Sequence, residues 1–356
     1  LLYIRTTLFT LFALLFFIIS CEDSENSPTP SIKESDTDNQ EESYQLPVIF
    51  HIFYDGSDSD QTVTTKRIKE IIDACNNYYD NSNNKSVDIH LKFILATHNN
   101  EGKVLSEAGI ERIKVNNAEL DCDNFMDDKS NIQYLWDTDQ YINIMLYRFT
   151  NKNILGISYL PYTVKPDKLE GLNQLNFLPT HSTLTYPHCI SINKLYINGK
   201  ANIEGQIYNP SDVIATLAHE LGHYLGLYHT FNETKDSAGN IITNLCEDTD
   251  YCTDTSPYNR DEYKDFLDNY IPKNGIKITF NDLPYLMERK NCMDNTQSTP
   301  NNIMDYEYSY VNRFTNEQKN RIRYGLAHSP LIPGKKVTRS ITKTTAPQEF
   351  PMRTIK

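Results

Sequence analysis

Positive charge is in short supply in this chain. Against 47 Asp and Glu it carries 34 Lys and Arg, giving a net charge of −13 at pH 7 and a pI near 5.2. A surface of that sign repels phosphate backbones, which excludes nucleic acid as a partner. Long apolar runs are missing after the first twenty residues, so there is no second segment that could cross a membrane. Internal repeats are absent, and with them a repeat architecture. There are seven cysteines, but none are paired at the C-x-x-C spacing of a zinc knuckle, and Cys246 and Cys252 lie too far apart for it. Glycine is scarce, at 13 of 356 residues, while asparagine and tyrosine are plentiful. Neither points to a function.

What is present begins with a targeting segment. Arg5 precedes a short apolar run from Leu8 to Ile19, too short for an ordinary spanning helix. The run closes on Ile18-Ile19-Ser20-Cys21. A small residue and then cysteine at that place resembles a bacterial lipoprotein signal, in which residues 1–20 are removed and Cys21 is lipidated. An ordinary secretory signal with an incidental cysteine is the alternative. On either reading the protein is exported, as an outer-membrane or cell-surface lipoprotein or in secreted form. Residues 21–44 are rich in Ser, Asp, Glu, Asn and Pro, the composition of a disordered tether. The six remaining cysteines, an even number in an exported chain, permit disulfides without fixing their pairing.

The folded part opens at Leu46–Tyr54, LPVIFHIFY, a buried-strand run ending in the turn signal Asp55-Gly56. Thr64 or Thr65 caps a helix with Ile68, Ile71, Ile72 and Cys75 on one face. Val87 to Leu95 alternates as a half-buried strand, with His90 on its solvent side and not a ligand. Tyr141–Phe149 and Ile190–Ile197 read as further strands. Strands and helices mixed in this order suggest an α/β half built on a twisted sheet. Residues 232–300 are polar and loop-like, with a short helix near Glu262–Tyr270. Thr315 and Gln318 form a capping box for a helix through Ile322 and Leu326. From Pro330 the chain turns basic and reads as a tail, 331–356.

The most informative stretch is NPSDVIATLAHELGHYLGLYHTF, Asn209 to Phe231. Asn209 can cap a helix, Pro210 suits its first position, and Asp212 adds negative charge near the positive end. Val213, Ile214, Leu217 and Leu221 recur at helical spacing and give a buried face. His219 and His223 are four apart, so both project from one side and can reach one metal ion. Glu220 lies beside that face, where a carboxylate handles a water's proton without being a ligand. Gly226 can end the helix in the left-handed conformation, and His229 then turns back as the third ligand. Three histidines leave the fourth position of a tetrahedral zinc open, which is the arrangement of a catalytic site.

H-E-x-x-H-x-x-G-x-x-H followed by a methionine turn is the metzincin signature. Within that group the sequence resembles the pappalysin family. The resemblance rests on HELGHYLGLYHTF at 219–231, NNIMDY at 301–306, FTNEQKNRIR at 314–323, the opening strand, and DYCTDTSP at 250–257. The last is a loose match to D-x-V-x-D-T-P, with Cys252 at the apolar place and Ser256 inserted before Pro257.

The resemblance implies an α+β fold over residues 45–330: a twisted mixed sheet with the active-site helix above it in an upper subdomain, 45–226, then an irregular, loop-rich lower subdomain, 227–330, with a C-terminal helix. Substrate would lie extended between them, adding as a strand to the sheet edge. Met304 would be an apolar floor beneath zinc, and Asp305 would brace the turn. Tyr306 would join Glu220 as a catalytic group by stabilising the oxyanion. Cys246 and Cys292 would be bonded, as paired cysteines bracketing this loop are in similar members, with Cys252 the competing partner. Glu247, Asp248, Asp250 and Asp254 would offer oxygen to calcium near an element where relatives bind it; a solvated acidic loop is the alternative.

The activity implied is that of a monomeric zinc metalloendopeptidase acting on protein or peptide substrates, with membrane contact only through the lipid anchor. Its rival is a non-catalytic zinc-binding surface lipoprotein. The family often has a cysteine after the methionine turn, and none follows Met304 here.

Overall fold

One strand organises the fold of this computed structural model, which describes residues 42–56, 63–199, 212–231, 233–235, 241–270, 281–306, 308–336 and 353–355. The expected signal at 1–20, Cys21, most of the tether, and Asn209 and Pro210 lie outside these residues. The organising strand is β1, Tyr44–Tyr54. Leu46, Val48, Phe50 and Ile52 point to one face of the sheet, where they meet Ile68, Ile71 and Ile72 of helix α1, Thr65–Tyr79. Ile49 and Phe53 point to the other face, into separate aromatic clusters. Both faces are therefore covered, which is why the strand reads as a continuous apolar run and not as an alternation.

In chain order there follow β2 (Leu91–Leu95), β3 (Ile110–Lys114), β4 (Glu119–Leu120), α2 (Cys122–Asp127), β5 (Ile142–Phe149), β6 (Gly156–Tyr159), β7 (Thr163–Val164), β8 (Gln174–Leu175) and β9 (Ile190–Asn193). The metal-motif helix is α3, Val213–Tyr224. Beyond it lie β10 (Thr234–Lys235), β11 (Ile241–Ile242), α4 (Arg260–Tyr270), α5 (Leu283–Leu286), β12 (Arg289–Lys290), β13 (Gln297–Ser298), α6 (Asn316–His328) and β14 (Arg353–Ile355). The main sheet runs β14-β6-β9-β5-β1-β2, with β3 also on β1 and β4 on β5. Pairs among β1, β2, β3, β4, β5 and β9 are parallel, whereas β6 runs antiparallel to β9. This is the twisted mixed sheet expected, in an α+β arrangement, with α1 and α3 packed on one face.

Two strands are shorter than the sequence reading. The 87–95 strand begins only at Leu91, because the Asp88 carboxylate accepts from the His90 backbone and His90 takes a left-handed φ of 57°. The strand from Ile190 stops at Asn193, whose side chain caps a single 3₁₀ turn, Lys194–Tyr196. α1 and α6 start where the caps were read, at Thr64 and at the Thr315–Gln318 box. After α6, Leu331 and Ile332 are still buried, so packing continues past residue 330. Among the described residues no helix is long and apolar enough to cross a membrane.

The second face uses several of the tyrosines. Tyr147, Tyr159, Tyr162 and Tyr186 pack there with Phe125 and Phe149, and the Tyr186 hydroxyl donates to that of Tyr162 at 2.7 Å. Rings of this size bury much apolar area and keep a polar end that needs a partner. The region after α3 has its own small cluster of Phe231, Tyr258, Tyr263, Leu267 and Leu286, with Tyr306 and Tyr308 packed against it.

Candidate metal centre

Helix α3 is buried along nearly its whole length. Its cap is Asp212 and not Asn209: the Asp212 side chain accepts from the Ile214 backbone at 2.9 Å, which makes Val213 the first helical residue. Tyr79 of α1 donates its hydroxyl to the Ala218 carbonyl at 2.8 Å and fixes how deep the helix sits.

The helix ends in a Schellman motif. Leu227 N–H donates to the Gly222 carbonyl at 3.0 Å and Gly226 N–H to that of His223 at 2.9 Å, with Gly226 at φ 106°. A side chain at residue 226 would be strained at that angle, so glycine is what lets the chain reverse. Arg321 of α6 braces the reversal by donating to the Gly226 carbonyl at 3.1 Å.

The reversal brings His229 back to His219 and His223. Together they are the one group among the described residues able to hold a metal with three donors. His219 Nδ1 lies 2.7 Å from the Ile303 carbonyl and His223 Nδ1 2.8 Å from the Leu227 carbonyl. A carbonyl only accepts, so each Nδ1 carries the proton and each Nε2 keeps its lone pair. His229 Nδ1 pairs with the Glu233 carboxylate, which imposes the same tautomer. The Nε2 atoms then face one another, with that of His223 2.9 Å from His219's and 3.0 Å from His229's. Lone pairs so arranged repel unless a cation lies between them, and neutral imidazole nitrogen suits zinc. The donor set fits the expected metal.

Glu220 follows His219 on the helix and is fully buried. It lies against Gly156, the first residue of β6, where an added methyl would come within 2.8 Å of Cγ and 2.9 Å of Oε1. Met304 is also fully buried, and its sulfur would be 2.5 Å from a Cβ on Gly222, so the methionine turn presses directly on the helix between the two histidines. That turn is held by Asn302, which accepts from the Met304 backbone and exchanges side-chain hydrogen bonds with Gln318 of α6.

The Tyr306 ring lies 4.5 Å from that of His229 and 5.5 Å from that of His219, centroid to centroid, with the Arg260 guanidinium 4.6 Å over its face. Asp305 sits below, accepting from the Tyr306 backbone at 2.7 Å and the Tyr258 hydroxyl at 2.5 Å, with buried Arg289 alongside at 3.8 Å.

The four acidic residues considered for calcium are placed differently. Asp254 accepts from the Glu317 backbone at the start of α6, and Asp250 from Cys252 N–H and the Thr255 hydroxyl. Glu247 and Asp248 are exposed, and the four do not form a three-carboxylate group of the kind the histidines do. Burial, and then the neighbouring Asp248, push the Asp250 carboxyl up to about 8. Cys246 and Cys292 are bonded, with Cα atoms 5.6 Å apart, while Cys252 remains a buried thiol. His90 stays away from the centre, paired with Asp88.

Several contributors gave no signal of their own in the sequence. Glu233 becomes a partner of His229 four residues after it, and Gly156 meets Glu220 only because β6 and α3 pack together. Tyr258, in a loop, and Arg289, the first residue of β12, support the methionine turn from elsewhere in the chain.

The order of these parts along the chain defines the class. A mixed sheet whose antiparallel strand β6 borders the helix, a glycine reversal to the third histidine, and a methionine turn returning beneath it make a zinc metallopeptidase of the metzincin kind. The chain belongs to metallo-peptidase family M12, whose family model matches residues 50–270. Mature mirolysin of Tannerella forsythia, solved in complex with a cleaved peptide, is similar in fold: TM-score 0.52 and 20% identity, over 80% of this chain and 92% of that one. A promirolysin mutant from the same organism gives 0.51 and 20%, over 80% and 81%. A zinc metalloproteinase/disintegrin of Bitis gabonica is 39% identical over 64 residues, and the match covers 17% of this chain and 19% of that relative's length.

Proposed function

We propose that this chain is a zinc-dependent endopeptidase that hydrolyses peptide bonds of extracellular proteins. The observation that carries the reading is the convergence of three imidazole nitrogens, each fixed in one tautomer by a partner on its other side, beside a buried glutamate of the same helix. Zinc held by His219, His223 and His229 supplies Lewis-acid polarisation and acidifies water to a pKa of about 7.

The chain's own groups do the rest. Glu220 takes the proton of the attacking water and passes it to the leaving amine. Tyr306 donates its phenol hydrogen to the oxygen that gains charge in the transition state. Met304 and the backbone of its turn hold His219 in place through the Ile303 carbonyl.

Within the metzincins the reading is of a monomeric pappalysin-type enzyme, supported by HELGHYLGLYHTF, NNIMDY and FTNEQKNRIR. Export in a lipid-anchored form is supported by the apolar run that closes on Ser20-Cys21. Cys21→Ser should release the processed protein from membranes, and a variant that stays bound removes the anchor. Calcium at Glu247, Asp248, Asp250 and Asp254 is supported only by the crowding of acidic residues in this short stretch and by the family resemblance. If calcium restored to a zinc-loaded, calcium-stripped sample shifts neither melting temperature nor activity, that site is dropped.

The central test is Glu220→Ala, which should keep one zinc per chain and lose casein hydrolysis. Zinc lost from that variant, or activity retained by it, overturns the assignment. A zinc-loaded natural chain that cleaves no protein would leave the rival reading, a non-catalytic zinc-binding surface lipoprotein.

A further inference from the structure

The outer edge of β6 passes the metal centre, and it is occupied by the chain itself. β6 begins at Gly156, the residue packed against Glu220, so anything added along the far side of β6 runs past that carboxylate. The edge of a sheet presents unpaired N–H and C=O groups, and an extended peptide of almost any sequence can satisfy them by strand addition. Arg353–Ile355 does so. It pairs antiparallel with β6, Arg353 opposite Tyr159, Thr354 opposite Ser158 and Ile355 opposite Ile157. Ile355 is thus one register step from the residue that abuts Glu220.

We infer that β14 is a strand bound at the enzyme's own substrate edge, and that it competes with peptide substrate for main-chain hydrogen bonds along β6. The inference rests on the proteolytic reading above and names the partner that regulates that site. Its energetics are those of a tethered ligand. Three residues of strand bind weakly as a free peptide, but covalent connection to α6 makes the pairing intramolecular, at an effective concentration on the order of millimolar for a short connection. Substrate must displace it, so occupancy raises KM more than it lowers kcat.

The test compares the full zinc-loaded chain, a chain ending at Lys336, and Thr354→Pro, in which the missing N–H and fixed φ are incompatible with a paired strand. The shortened chain keeps α6, Leu331 and Ile332, and the proline variant keeps full length, so a folding defect in one does not stand for the other. Two readouts are needed: hydrogen exchange at the Ile157–Tyr159 amides, which does not depend on catalysis, and kcat and KM on a quenched fluorescent peptide.

Both variants should lose protection at β6 and show KM at least threefold lower with kcat little changed. A synthetic peptide of residues 349–356 should restore protection to the shortened chain and inhibit it competitively. Unchanged protection in both variants would remove β14 from the edge in solution. Lost protection with unchanged KM would show that substrate does not use this edge, and would overturn the competition. If protection behaves as expected while no form cleaves any peptide, the proteolytic reading fails and the strand assignment stands.

Discussion

The ring of Tyr306 packs against His219, His229 and Phe231 in tilted and edge-on contacts and lies under Arg260, and phenylalanine keeps all of these ring contacts. Tyr306→Phe therefore isolates the phenol as a donor. Loss of such a donor costs about 2.7–4 kcal/mol, or 10²–10³ in kcat. We expect kcat to fall at least tenfold with KM little changed. An unchanged kcat in a variant with full zinc would end the catalytic assignment. Gly156→Ala makes the complementary test, since its methyl would meet Glu220 Cγ and Oε1 at under 3 Å and displace the carboxylate. Zinc binding and the melting transition should persist while kcat drops at least tenfold; normal turnover would show that Glu220 accommodates the methyl. The three histidines were legible in the sequence because helix periodicity and one glycine suffice to bring them together. Glu233 and Gly156 were not, since their roles depend on a side-chain pairing and on strand order that no local pattern encodes.

Among the elements, legibility follows how local the cause is. The caps act within four residues, so the sequence names Thr315 and narrows the other to Thr64 or Thr65, of which Thr64 is the cap. The cap of α3 differs from the expectation, which put Asn209 there and read Asp212 only as a charge near the positive end; the hydrogen bond from Ile214 N–H makes Asp212 the cap. The two-residue strands β10 to β13 gave no periodicity at all. Their region is held instead by Cys246–Cys292, which closes a separation of 46 residues around the cluster backing Tyr306. A cross-link over that span contributes about 4 kcal/mol by restricting the unfolded chain. Cys292→Ser should lower the urea midpoint correspondingly, whereas α3 and its zinc should survive. A midpoint equal to that of the natural chain, with the bond verified by peptide mapping, would show that the cluster needs no cross-link.

At the scale of the whole molecule, one contribution to acid sensitivity comes from a buried histidine outside the metal centre. His188 is fully enclosed among Tyr159, Tyr186 and Tyr224, and burial pushes its pKa down to about 3. The unfolded chain binds a proton there below about 6.5, and the folded one does not until about pH 3. The contribution of His188 is thus complete above pH 6.5 and is lost as pH falls through that window, at up to about 1.4 kcal/mol per unit. His188→Phe should flatten this part of the stability profile, as read by urea unfolding at pH 7, 5 and 4. Two curves separated by a constant offset would assign the acid loss to other groups.

The hydrogen bond from His219 to the Ile303 carbonyl joins residues 84 positions apart, and the brace from Arg321 to Gly226 spans 95. A chain delivered in order, first residue first, presents the three histidines, and the Leu227 and Glu233 partners of two of them, long before the Ile303 carbonyl that orients His219 and the Arg321 that braces the reversal. The finished centre therefore needs residues 303 and 321 as well as the motif itself. A ribosome making this protein meets an unbraced centre until Ile303 and Arg321 have followed.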